Sequence, residues 1–204
     1  MNVHSIMHAI VFDKRERILA ATAKLIVRNG LQCSMAEIAS TAGVATGSLY
    51  TYFKSKDDLV RGVYAQLTEA IVAALIVEHD AATSPEARLR RYIEDYIAFV
   101  WTDADRALLF EYLSNVPIVP AAEMLQIFAP VIAFTNKTIR EAREAGVLRD
   151  FGTHDMGAFI GGGLRNTLKW MRARGEELSP ERRRQLAAMC WSAIAAEPEA
   201  IGED

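Results

Sequence analysis

Cysteine is scarce in this chain of 204 residues: Cys33 and Cys190 are the two, far apart and in no metal-ligand spacing. That scarcity excludes a disulfide framework and fits a reducing, cytoplasmic setting. The four histidines, His4, His8, His79 and His154, are equally scattered, so neither a zinc site nor a histidine-centred catalytic group has a signature, and no cofactor is expected. Although 51% of the residues are hydrophobic, no uninterrupted apolar run approaches the roughly 20 residues a bilayer crossing needs, so a membrane is not an expected partner. The opening MNVHSIMHAIVF lacks the basic leader and small-residue cleavage site of a secretory signal and reads as a short arm into the first helix. Also missing are internal repeats, low-complexity tracts and any sustained alternation of apolar and polar residues. Glu197 to Asp204 reads as a frayed polar tail.

What the chain does have is concentrated in residues 34–59, SMAEIASTAGVATGSLYTYFKSKDDL. Ser34 is a good helix N-cap with Glu37 at the capping-box position, and Ile38, Ala39 and Ala42 give a small apolar face before Gly43 permits a turn. Val44 can plug the corner. In the next helix Leu49 and Phe53 are four residues apart and share a face, which displaces Gly47, Ser48, Tyr50 and Thr51 toward the other side. Ser55, with Asp58 three residues on, caps a further helix through Leu59, Val63, Leu67, Ile71 and Leu75. The pattern is a helix-turn-helix with one packing face and one free face. Gly47 lets a partner backbone approach at a cost near 1 kcal/mol in helix stability, which a purely structural helix avoids. Thr46, Ser48 and Thr51 carry short hydroxyls, and Tyr50 and Tyr52 join an apolar ring to a phenolic donor.

The order A-G-V-A-T-G-S-L-Y-T-Y-F-K-S-K-D-D-L closely resembles the DNA-binding segment of the tetracycline-repressor (TetR) family of bacterial transcriptional regulators. Arg17 to Ile26, ending at Asn29 and Gly30, resembles that family's first helix, so the likeness runs from about Asp13 to Leu67. The resemblance implies an all-α fold: a helix-turn-helix DNA-binding domain over residues 1–56 and a helical ligand-binding and dimerisation domain over 57–204. It implies a homodimer that binds a near-palindromic operator in double-stranded DNA, most simply as a repressor released by a small apolar or aromatic effector. By the same resemblance Thr46, Gly47, Tyr50 and Thr51 match base-facing positions, and Ser34, Tyr52 and Lys56 match backbone contacts. Where many relatives carry serine and a lysine-like residue before the glycine, this chain has Ala45 and Thr46, so base preference does not transfer.

The charge distribution agrees weakly. Residues 1–60 hold seven basic against five acidic side chains, a net of +2, so of the whole-chain −3 the remainder carries −5. The body reads as successive amphipathic helices, about nine in all, with breaks at Thr83 to Pro85, Pro117 to Pro120 and Gly146, a kink or break at Pro130, and helix starts at Thr153 and at Ser179-Pro180. Tyr92, Tyr96, Trp101, Tyr112, Met124 and Phe128 are the candidate effector-binding residues by the family's habit, with core packing the competing reading for each. Gly161-Gly162-Gly163 inside a helix points to a close backbone approach, expected at the dimer interface, or to a bend. No catalysis is expected. An all-α enzyme using Glu94, Asp95 and Glu111 would leave Tyr50-Thr51-Tyr52 unexplained, and an adaptor whose head binds protein would lack the steep salt dependence of DNA binding.

Overall fold

A computed structural model describes residues 3–77, 80, 82–115 and 119–196, with side chains from residue 14 onward. The tail at 197–204, together with the side chains of His4, His8, His79 and Pro117, lies outside the described residues. The helices are α1 (Val3–Asn29), α2 (Met35–Ala42), α3 (Thr46–Tyr52), α4 (Lys56–Leu75), α5 (Pro85–Thr102), α6 (Ala104–Asn115), α7 (Ala121–Ile127), α8 (Ala129–Glu144), α9 (Thr153–Ala173) and α10 (Pro180–Ile194), with a 3-10 turn at Gly30–Gln32. Among the described residues no strand is present beyond an isolated antiparallel bridge between Leu148 and Ala195.

Local chemistry explains where the helices begin and end. The hydroxyls of Ser34, Ser55, Ser84 and Ser179 each accept from the backbone N–H three residues on, all at 3.1 Å. Pro85 and Pro180 sit at helix starts, where a missing N–H costs nothing. Gly43 closes α2 at φ 65°, and Gly146 follows α8 at φ 76°, both in the left-handed region that glycine enters freely. Two expectations are corrected. The opening segment is not an arm: α1 already begins at Val3, since no proline or glycine interrupts the run to Asn29. Ten α-helices are described rather than about nine, because the stretch from Met124 to Ala145 divides at Phe128, leaving Pro130 in the first turn of α8.

The chain forms two compact units, Met1–Ala70 with Asp105–Phe128, and Ile71–Ala104 with Ala129–Asp204. The first unit holds α4 up to Ala70, α6 from Asp105 onward and α7. In that first unit Ile18, Leu19, Ile26, Ile38, Leu49, Leu59 and Leu113 are fully buried. Tyr64, 1% exposed, donates its hydroxyl to the Leu113 carbonyl at 2.8 Å and meets the Phe128 ring edge-on at 6.2 Å. Arg61 pairs with both Asp58 and Glu123. In the second unit α5 packs against α8, α9 and α10, burying Leu89, Tyr92, Ile93, Tyr96, Ile97 and Val100 along one face. Ile160, Leu164, Leu168 and Met171 of α9 are buried as well. At about 1.5–3 kcal/mol per fully buried large apolar side chain, these two cores are what overcome the entropy of ordering each unit.

Candidate nucleic-acid interface

The helix-turn-helix is built from short-range bonds and one long side chain. Gly43 N–H donates to Ser40 O at 3.1 Å and Val44 N–H to Ala39 O at 3.0 Å, which reverses the chain between α2 and α3. Arg17 of α1 donates through Nη2 to the carbonyls of Ala42 at 2.7 Å and Gly43 at 3.1 Å, so a cation satisfies the acceptor end of α2. A Cβ at Gly43 would fall 2.9 Å from that nitrogen, a second reason for glycine beside the positive φ. The capping box is half formed: Ser34 accepts from Glu37, but the Glu37 carboxylate accepts from Asn29 Nδ2 at 3.3 Å. Sequence reading did not assign Arg17 and Asn29 these roles; contacts between α1 and α2 leave no local pattern.

With Leu49 at 0% exposure and Phe53 buried, α3 turns its other side outward. Thr46, Gly47, Tyr50 and Thr51 are exposed, Tyr50 by 50%, while Ser48 and Tyr52 are half-buried and Ser34 is exposed. The four expected base-facing positions therefore occupy the open side of one helix. The Thr51 hydroxyl donates back to the Gly47 carbonyl at 3.2 Å, so toward a partner it offers lone pairs and a methyl group rather than a proton. Lys56, at the start of α4, is half-buried and donates to the carbonyl of Leu31. An ammonium has three N–H donors, so this bond leaves others for a phosphate. Burial pushes the Cys33 thiol up, keeping it a neutral packing group behind the motif.

The six expected effector residues fall in both compact units. Tyr92, Tyr96 and Trp101 belong to the second unit and Tyr112, Met124 and Phe128 to the first. The rings of Tyr92 and Tyr96 are buried with centroids 6.2 Å apart; the Tyr92 hydroxyl bonds Thr135 Oγ1 at 2.9 Å, and the Tyr96 hydroxyl accepts from Arg165 at 2.6 Å. Burial drives the Tyr92 phenol up to about 12. Trp101, under the Arg172 guanidinium at 4.6 Å, lines a cleft of about 490 Å³ with Glu94, Ala98, Thr102, Leu178, Pro180, Arg183 and Arg184. In the first unit Phe128 stacks on Phe110 at 6.2 Å, Met124 is half-buried, and the Tyr112 hydroxyl accepts from Leu31 N–H at 3.2 Å. Among the described residues no cluster of His, Cys, Asp or Glu could hold a metal ion, and no helix is long and apolar enough to cross a membrane.

Comparison with known proteins bears on the same segment. Residues 18–63 match the pattern of the bacterial regulatory proteins of the tetR family. An HTH-type transcriptional regulator of Haemophilus influenzae is 39% identical over 69 residues, 33% of this chain and 37% of its own. The HTH-type transcriptional repressor KstR2 of Mycolicibacterium smegmatis is 32% identical over 78 residues, 38% of either chain. These alignments thus span under two fifths of the relatives' length. The crystal structure of a tetR family transcription regulator from Shewanella sp. PV-4 superposes with a TM-score of 0.81 at 22% identity, covering 90% of this chain and 99% of that one, which is a likeness of fold.

Proposed function

We infer that this chain, a member of the tetR family by its amino-terminal motif and its fold, is a sequence-specific DNA-binding transcriptional regulator, a repressor released from its operator by a small molecule. The observation that carries the reading is the free face of α3, where Thr46, Gly47, Tyr50 and Thr51 are exposed on a helix anchored by a fully buried Leu49. That face enters the major groove; Ser48 lies at its margin, and Ser34, Tyr52 and Lys56 hold the sugar-phosphate backbone. The name of one relative, a repressor, supports the sign of regulation.

Two copies act together. On α9, Phe159 and Trp170 are 60% and 51% exposed, and on α10 Met189 is 67% exposed. Phe159, Gly163, Asn166 and Trp170 follow spacings of four, three and four, so they form one outward stripe with a glycine at its centre. A second copy buries that stripe, and a two-fold dimer then presents two recognition helices to a near-palindromic site. The effector sits against α5 in the cleft at Trp101: about 490 Å³ falls within the range of small-molecule sites, and Ala98, Leu178 and Pro180 beside the indole, with Glu94, Arg183 and Arg184 in the same lining, suit an apolar or aromatic compound that carries a polar group. Selection of bound sequences from a random duplex library tests the core of this reading. Enrichment of one inverted-repeat sequence is the expected result; no enrichment at low salt would refute DNA reading.

A further inference from the structure

The turn between α1 and α2 is held in an unusual way. Gly30 has φ +61°, and a Cβ placed on it would lie 3.0 Å from the Tyr112 hydroxyl oxygen, so the absent side chain is the space in which that phenol sits. The next residue, Leu31, has its N–H bonded to the same hydroxyl at 3.2 Å and its carbonyl bonded to the Lys56 ammonium. Both polar groups of Leu31 are therefore satisfied by side chains, one from α6 and one from α4, within the same compact unit. No side chain caps this 3-10 turn at Asn29, so the two bonds supply the fixing that a helix ladder supplies elsewhere. Three residues beyond Leu31 stands Ser34, the cap that starts the helix-turn-helix.

We propose that Tyr112 is a positioning residue for DNA reading: its hydroxyl, opposite the Lys56 ammonium, fixes the Leu31 peptide and thereby the angle at which α2 and α3 are offered to the duplex. Tyr112 then serves the head rather than an effector. Its ring fills space in either case, so the hydroxyl is the informative atom. The inference rests on the DNA-binding reading above.

The test compares Tyr112→Phe, which keeps the ring and removes the acceptor, with Gly30→Ala, which keeps the tyrosine and crowds its hydroxyl. The probe is the duplex that the unaltered protein enriches from a random library. Tyr112→Phe should lose about three- to tenfold in affinity, the factor for one net hydrogen bond, and Gly30→Ala, which also strains a backbone at φ +61°, should lose at least as much. The slope of log affinity against log salt should stay unchanged, because no phosphate contact is lost. In Tyr112→Phe the Leu31 amide should also exchange hydrogen faster. Unchanged affinity in Tyr112→Phe would overturn the proposal, and so would an affinity loss with a flatter salt slope, which would mean the phenol touches phosphate. Failure of the unaltered protein to enrich any duplex would overturn the DNA-binding reading itself, and it is recognisable because no variant enters that measurement.

Discussion

Replacing Gly47 by alanine should move stability and DNA affinity in opposite directions. Gly47 is the second residue of α3, is exposed, and does not have the positive φ found at Gly30, Gly43, Gly146 and Gly175. A Cβ there meets nothing within 4 Å. Neither backbone conformation nor packing inside the chain calls for glycine, so Gly47→Ala should gain the ordinary helix propensity difference, about 0.5–1 kcal/mol. For a chain of this size that is a rise of roughly 2 °C in melting temperature. In the proposed docking the same methyl stands between α3 and the duplex. If one base contact is lost through the wider approach, affinity falls by about 1–3 kcal/mol, roughly 5- to 150-fold. Thermal melting of the free protein and anisotropy titration of a selected duplex measure the two quantities separately. A variant that is more stable and binds as tightly as before would show that the duplex does not come close to α3 at Gly47, and the assignment of the reading face would fall with it.

Tyr50→Ala and Thr51→Ala should shift sequence preference by about 1–3 kcal/mol per base contact, whereas Lys56→Ala should weaken all duplexes and flatten the salt slope by about one; equal losses on selected and random duplexes in all three would refute this division of roles. Gly162→Leu should separate the subunits in sedimentation, because a Cβ at Gly162 meets nothing in its own chain and a new side chain would be felt by a partner; a fully dimeric variant with unchanged affinity would point to a bend instead. For Tyr92, burial raises the folded-state pKa from 10.0 to about 12, so its contribution to stability is complete below pH 10 and is lost as pH rises toward 12. Absorbance titration of the tyrosines should show a late-ionising phenol that Tyr92→Phe abolishes, and unchanged curves would contradict its burial.

What could be read in advance is what is encoded locally. Ser34, Ser55, Ser84 and Ser179 announce helix starts because a hydroxyl and an N–H three residues away meet whatever the rest of the chain does. Leu49 and Phe53 fix the inward face of α3 by spacing alone. Placement across long separations was not legible. Tyr112 reaches Leu31 across 81 positions, Arg61 reaches Glu123 across 62 and Tyr64 reaches Leu113 across 49, and none of these meetings leaves a periodic trace. For the same reason the aromatic residues of the body could be proposed together as an effector site, although the structure distributes them between two units. Gly161 illustrates the remainder: a Cβ would lie 3.2 Å from Arg165 Nη1 and 3.4 Å from the Tyr96 hydroxyl, a crowding within the chain that a run of three glycines does not distinguish from an interface.

The head unit is assembled from two stretches that synthesis delivers at different times, Met1–Ala70 and Asp105–Phe128. A ribosome that has completed α4 has not yet supplied Leu113, which accepts from Tyr64, or Glu123, which pairs with Arg61. The reading head therefore cannot reach its final packing co-translationally until residue 128 has left the exit tunnel. Its portability is limited in the same way. On the proposed DNA-binding reading, a chimera that transplants only α1 to α4 onto a foreign body leaves Tyr64 and the Leu31 turn facing someone else's α6, so the smallest exchangeable cassette for altering operator choice is discontinuous.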